Sequence, residues 1–228
     1  MSKSNQLYHL MQLAGGTFPS GGFSQSWGLE TYTSGNTIKS GGAFKEFATS
    51  YLKTTISRCE GPILCEAYRL SESWDMEEIE ALEELSCACK VTKESRESSL
   101  RMGKAFLRII SDVFEDERVD ILKNRFRTNG MTYPVVFGLA CGFLEVEKDE
   151  ALRAFVFSTV NGLVQSAVKL IPLGNTEAQK ILMELQNEME ASTQEALVWP
   201  IDNISNFCPG FDIASIQHET LSVRLYMS

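Results

Sequence analysis

Residues able to do chemistry are few in this 228-residue sequence, and they are scattered. Gly16-Thr-Phe-Pro-Ser-Gly21-Gly22-Phe23 has two glycines at the separation of a phosphate-binding loop. The lysine that would reach the phosphates and the hydroxyl that would hold a metal are replaced by Gly22 and Phe23, so the segment reads as a glycine-rich turn between helices. A serine nucleophile on a strained elbow needs glycine on both flanks, and Gly22-Phe-Ser24-Gln-Ser26 lacks the second. Only His9 and His218 are available as bases, one near each end of the chain. Ser24 is expected to be a turn or cap residue.

Cys87-x-Cys89 invites a metal reading that helix geometry weakens. Two residues correspond to roughly 200° of rotation, which points the thiols to opposite sides. Cys59, Cys89 and Cys141 are expected to be small buried hydrophobes. Cys208, beside Pro209, pairs with His218 as the weak candidate for a thiol-based metal carrier. His218-Glu219 also offers the acid–base pair of a small helical enzyme. The same two residues with Arg224 could equally be an ion network holding the C-terminus down or a recognition patch, and composition leaves both open. Lys169 closes an apolar stretch, where a helix C-terminus favours a cation.

These residues must be positioned by helices. Phe44, Phe47, Ala48, Tyr51, Leu52, Thr55, Ile56 and Cys59 recur at spacings of three and four, the signature of one helix face. Gly61-Pro62 is expected to break that helix, with a second, short helix following through Ile63, Leu64, Ala67 and Tyr68. Asp75 and Glu78 form a capping box for a helix carrying Met76, Ile79, Leu82, Leu85 and Cys89. A further helix runs from about Thr92 past Val113. Its N-terminal half, Lys93 to Ser99, is polar nearly all round and is expected to face solvent or a partner.

Pro134 suits the first turn of the next helix, where its missing N–H is harmless. The uncharged run Ala154 to Val168 is shorter than the ~20 residues of a membrane span and reads as a buried helix. A last helix carries Ala178, Ile181, Leu182, Leu185 and Met189. No alternating strand pattern, repeat or linker is found. The expected fold is an all-α single-domain bundle of roughly eight to ten helices. It comprises residues 1–206, with a tail over 207–228 that belongs to the same domain or docks on a partner.

An apolar fraction of 43% is enough to fill a core at this length. The formal charge of -9 and the absence of a Lys/Arg run in the sequence argue against nucleic acid and anionic membrane as partners. The N-terminus lacks the layout of a signal peptide, so a cytoplasmic protein with reduced thiols is expected.

Several segments together resemble the UreF family of urease accessory proteins. They are Thr17-Phe-Pro-Ser-Gly-Gly-Phe-Ser-Gln-Ser-Trp-Gly-Leu-Glu30, Glu94 to Gly103, Pro134-Val-Val-Phe-Gly138, and Ser166 to Gly174 with Gln179. The last is Asp212-Ile-Ala-Ser-Ile-Gln-His-Glu with Arg224-Leu and Ser228. They occur in order over nearly the whole chain. The resemblance implies an all-α homodimer without catalytic activity. Its partners would be UreD (UreH in some bacteria), the nickel-binding GTPase UreG and, through the assembled complex, apo-urease. No cofactor would be bound stably, and nickel would be handled by the complex. Partner-binding candidates on this basis are Pro19, Gly21, Gly22, Ser24, Ser26, Glu30, Arg96, Lys169, Gln179, His218, Glu219, Arg224 and Ser228.

Overall fold

A helix that is apolar all round must be surrounded by others, and Tyr133–Phe143 is the clearest case in this chain. In the computed structural model, which describes residues 3–227, every residue from Tyr133 to Cys141 is buried. The elements run α1 (Lys3–Leu13), α2 (Leu29–Ser34), α3 (Gly41–Tyr51), α4 (Gly61–Ser73), α5 (Met76–Ala88), α6 (Lys93–Val113) and α7 (Glu117–Arg125). They continue as α8 (Tyr133–Phe143), α9 (Lys148–Leu170), α10 (Asn175–Glu184), α11 (Gln186–Val198) and α12 (Pro209–His218). No strand occurs among the described residues, so the fold is all-α and forms one domain.

Helix α8 packs against α4, α6, α9 and α5. Its closest approach is to α4, where a Cβ on Gly138 would lie 2.4 Å from the Leu64 carbonyl oxygen. Phe106, Tyr133, Phe137 and Phe155, from α6, α8 and α9, stack around this hub with ring centroids 5.5–5.7 Å apart. Such pairs contribute about 0.5–1.5 kcal/mol each beyond area burial.

Gly61-Pro62 does not break the helix. Gly61 is helical (φ -64°, ψ -52°), and α3 continues into α4 through a π-helical segment, Leu52–Glu60. Pro62 has no N–H to offer the Arg58 carbonyl, and the Ser205 N–H takes that acceptor at 2.9 Å. A distant loop thereby satisfies the group whose loss would otherwise end the helix. The expected capping box at Asp75 is half realised, since its carboxylate accepts from the Glu77 and Glu78 N–H groups. The helix expected over Ala178 to Met189 is divided at Leu185 into α10 and α11.

The polar start of α6 does not face solvent as a whole. Glu94, Ser98 and Ser99 are buried, and α12 with the chain after it covers that side.

Candidate functional site

The Gly-rich loop leads into α2 through a turn. Gly21 adopts φ 85°, and the Ser24 hydroxyl donates to the Gly21 carbonyl at 2.7 Å. Gly28, also at φ 85°, opens α2 and leaves room for α12, whose Ala214 Cβ would be 3.3 Å from a Cβ at that position. Two residues on, Glu30 is carried into the interior and is only 3% exposed.

Helix α12 is pinned along its length. The Thr31 hydroxyl donates to the Ala214 carbonyl (2.8 Å), the Thr92 and Ser215 hydroxyls are 2.8 Å apart, and Phe211 meets Phe47 edge-on at 4.9 Å. Its last residue, His218, is fully buried. The imidazole lies between two carboxylates, with Nε2 2.9 Å from Glu30 and Nδ1 2.7 Å from Glu94. Each ring nitrogen thus has a carboxyl oxygen as its hydrogen-bond partner, so neither is left unsatisfied in the interior.

The chain then turns back over the same cluster. The Arg224 guanidinium donates to the second Glu94 oxygen at 3.0 Å. The Leu225 and Tyr226 N–H groups donate to Glu30 at 2.7 and 3.0 Å, and the Met227 N–H donates to the Ser24 carbonyl at 2.8 Å. Two carboxyl groups thus meet the imidazole, the guanidinium and two backbone donors, which compensates the desolvation that would make either carboxylate alone costly. Lys169 lies above this return strand of chain, its ammonium 5.7 Å from the Tyr226 ring.

The arrangement has two unlike sides. The inner side carries His218, Ala214 and Tyr226, all buried; the outer side presents Phe207, Ile213, Ile216, Val223 and Leu225, each more than half exposed.

Of the residues expected at a site, Ser24, Ser26, Glu30, His218 and Arg224 are brought together, with Lys169 at the edge. Ser26 accepts the Glu30 N–H at 3.4 Å. Pro19, Gly21 and Glu219 are exposed and Gly22 half-buried, all without a place in the cluster, and Gln179 is exposed on α10. Arg96 instead braces the α5–α6 junction, donating to the Lys90 carbonyl at 2.9 Å. Ser228 lies outside the described residues. Glu94 and Tyr226 were missed as site residues. An acidic residue in a polar run gave no sign of burial.

The geometry corrects two readings. His218 is not paired with Glu219, whose exposed side chain leaves it to Glu30 and Glu94; sealed from solvent, the imidazole has no route to a substrate. Nor can Cys208 and His218 share a metal, because they stand at opposite ends of a ten-residue helix, about 15 Å apart along its axis.

Behind α12 lies a cavity of about 90 Å³ lined by hydroxyl-bearing and apolar side chains, with Glu60, Lys90, Asn206 and Asp212 among the other polar groups. Lys90 forms a buried ion pair with Glu60 there. Burial is the largest single influence on Lys90 and acts to lower its pKa, but the Glu60 charge and hydrogen bond together with Cys59 and Cys89 outweigh it and the value is raised. On the carboxyl of Asp212 burial acts in the opposite direction and raises the pKa.

Cys87 and Cys89 turn to different neighbours. The Cys87 thiol donates to Glu83 at 3.2 Å and is pushed up to about 12 by burial and that carboxylate. Cys89 is brought down to about 7, first by a hydrogen bond with the Cys59 thiol and then, against the effect of burial, by the Lys90 charge. Cys59 and Cys141 are buried, as expected, whereas Cys89, expected to be buried with them, is only partly so.

Comparison with known proteins adds independent findings. A family model described as UreF matches residues 38–186. A urease accessory protein UreF from Bacillus sp. (strain TB-90) is 33% identical over 227 residues, covering 98% of this chain and 100% of the relative. The protein of that name from Geobacillus kaustophilus (strain HTA426) is 32% identical over 224 residues, covering 98% of each chain. The one from Rhodopseudomonas palustris (strain BisA53) is 30% identical, over 97% of this chain and 93% of the relative. The family model stops before α12, whereas likeness to these relatives extends over nearly the whole chain.

Proposed function

The chain belongs to the UreF family of urease accessory proteins, and on that premise we propose that it is a maturation adaptor, bridging a UreD/UreH-type protein and the GTPase UreG. In this reading it works by binding, as a cytoplasmic homodimer, and regulates the GTPase. Nickel passes to apo-urease as cargo of the assembled complex, without a resident site in this chain.

The observation that carries the proposal is the two-sided tail. Its inner side is fixed by Glu30, Glu94, His218 and Arg224, while five large apolar side chains on its outer side remain in water. Five large apolar side chains exposed within residues 207–225 exceed the scattered single ones that need no explanation, and exposed apolar surface marks protein–protein contact. The ion cluster then has a positioning role: it presents a preformed surface, which lowers the ordering cost that a loose terminus would incur on binding.

Lys169 supports the second contact. It is exposed and lies beside the Tyr226 ring, so a partner seated on the tail and one contacting α9 would be neighbours. A lysine there can meet the GTPase without disturbing the core. The Gly16–Phe23 turn supplies no phosphate-binding lysine, which is compatible with nucleotide chemistry belonging to the partner.

The test is genetic and biochemical together. Deleting this gene in a strain carrying the other urease genes should abolish urease activity at limiting nickel, with activity restored by the wild-type chain. Full urease activity in the deletion strain would refute the adaptor role.

A further inference from the structure

The acidic chain gathers its unneutralised arginines in one place. Arg58, Arg69, Arg118, Arg125, Arg153 and Arg224 each pair with a carboxylate, and Arg96 donates to a backbone carbonyl. Among the described residues, Arg101, Arg108 and Arg127 have no carboxylate partner within 4.0 Å, and all three line one groove of about 600 Å³ between α6 and the end of α7. Lys104 lines it too, also without an ion pair among the described residues, and so does Lys123, which bonds Ser111 (2.9 Å) and Asp112 (3.3 Å). No Asp or Glu lines the groove.

The placement follows from helix geometry. Positions 101, 104 and 108 share a face of α6 by their spacing of three and four. The chain after α7 then brings Phe126 and Arg127 to the same side. The floor is apolar, formed by Leu107, Ala105, Phe126 and Met131. Basic rim and apolar floor together are suited to a segment carrying both carboxylates and an apolar anchor.

We propose that this groove is a docking site for an acidic, apolar-anchored polypeptide segment of a partner protein. The charge balance favours a polypeptide over a polyanion. The chain's net charge is -9, and a long nucleic acid or an anionic bilayer would extend past the groove and come within about 8 Å, the Debye length at physiological salt, of the chain's excess carboxylates, whose repulsion is unscreened at that range. A short acidic segment meets only the local cations, which steer its approach and fix its register. The proposal rests on the adaptor reading, since the natural source of such a segment is another member of the urease maturation complex.

The experiment compares the full-length wild-type chain with the variant Arg101→Glu/Arg108→Glu/Arg127→Glu. Assembly with purified UreD-type protein, UreG-type GTPase and apo-urease is measured, with carbodiimide cross-linking of lysine to carboxylate and mass spectrometry. Circular dichroism and a melting curve establish that the variant is folded; where it is not, Arg108→Gln alone is used. The expected result is cross-links from Lys104 or Lys123 to a partner's Asp or Glu, and at least tenfold weaker assembly for the variant, with the wild-type affinity falling as salt rises. Undiminished assembly of a folded variant, or absence of these cross-links from an assembled wild-type complex, overturns the groove assignment alone. A wild-type chain that assembles with none of these partners overturns the adaptor reading and the groove with it. Binding of duplex DNA or phosphatidylserine vesicles, lost in the same variant and stronger than any partner binding, also overturns it.

Discussion

Replacing His218 by alanine should release the tail while leaving the helical bundle assembled. The substitution removes the group lying between Glu30 and Glu94, which are 3% and 8% exposed. Arg224 and the two backbone donors remain, but the Glu30 oxygen 2.9 Å from Nε2 and the Glu94 oxygen 2.7 Å from Nδ1 lose their imidazole partner. Removing one partner from a buried ion pair costs about 3–5 kcal/mol, because the other charge is left behind. The whole fold is worth only about 5–15 kcal/mol, so the cost is released where the structure yields most cheaply. That place is residues 207–227, which carry the exposed apolar side chains.

Hydrogen–deuterium exchange read by mass spectrometry over peptides from 209–227 is the assay. Each 1.4 kcal/mol is tenfold, so exchange of amides such as those of Leu225 and Tyr226 should accelerate by about a hundredfold to a few thousandfold. Peptides from α8 and α9 should keep their protection. His218→Gln, which can still donate to one carboxylate, should lose less. Unchanged protection in 209–227 of His218→Ala would refute the reasoning, since it would mean that the imidazole does not hold the tail.

Three further outcomes are expected. Gly138→Ala should lower the denaturant midpoint. Its Cβ would sit 2.4 Å from the Leu64 carbonyl oxygen, and overpacking of about 1–3 kcal/mol outweighs the up to ~1 kcal/mol gained in helix propensity; a raised midpoint would contradict this. Lys90 is raised above the ordinary value of 10.5. Its contribution is therefore whole below about pH 10.5 and is lost as pH climbs through the folded-state value. Lys90→Met should be less stable than wild type at pH 7, with the gap narrowing in alkaline unfolding curves; a gap that widens with pH would count against the pairing. Cys89, lowered to about 7, should react with iodoacetamide at pH 8 before Cys65 and Cys87, which burial raises to about 11 and 12. Peptide mapping showing Cys87 modified first would overturn that ordering.

Much of the fold was legible in local patterns. The apolar Tyr133–Phe143 segment and the uncharged Ala154–Val168 run predict buried helices, and the capping residue at Asp75 marks where α5 begins. Gly61-Pro62 misled because the compensation is remote: the acceptor freed by proline is satisfied by Ser205, far along the chain. Glu94 was invisible as a site residue for a related reason. Its partners lie 124 and 130 positions away, and a carboxylate is expected at the surface until its counter-charges are known to arrive. Of the charges grouped at the C-terminus, His218 and Arg224 join the cluster and Glu219 does not, and periodicity gives no means of choosing the carboxylates that face His218. The basic groove was hidden likewise, since Arg101, Lys104 and Arg108 meet Lys123 and Arg127 only once α7 folds back on α6.

The central claim is that the outer side of the docked tail binds a partner. Truncation after Asn206 tests it poorly, because removing His218 and Arg224 strips Glu30 and Glu94 of their counter-charges and confounds binding with folding. Ile213 and Ile216, both more than half exposed on α12, can be changed to aspartate with a stability effect of about 0.5 kcal/mol or less. Calorimetric titration of this double variant with the UreD-type partner is the most direct measurement. The account predicts an unaltered melting curve and loss of binding; an affinity equal to that of the wild-type chain would contradict it.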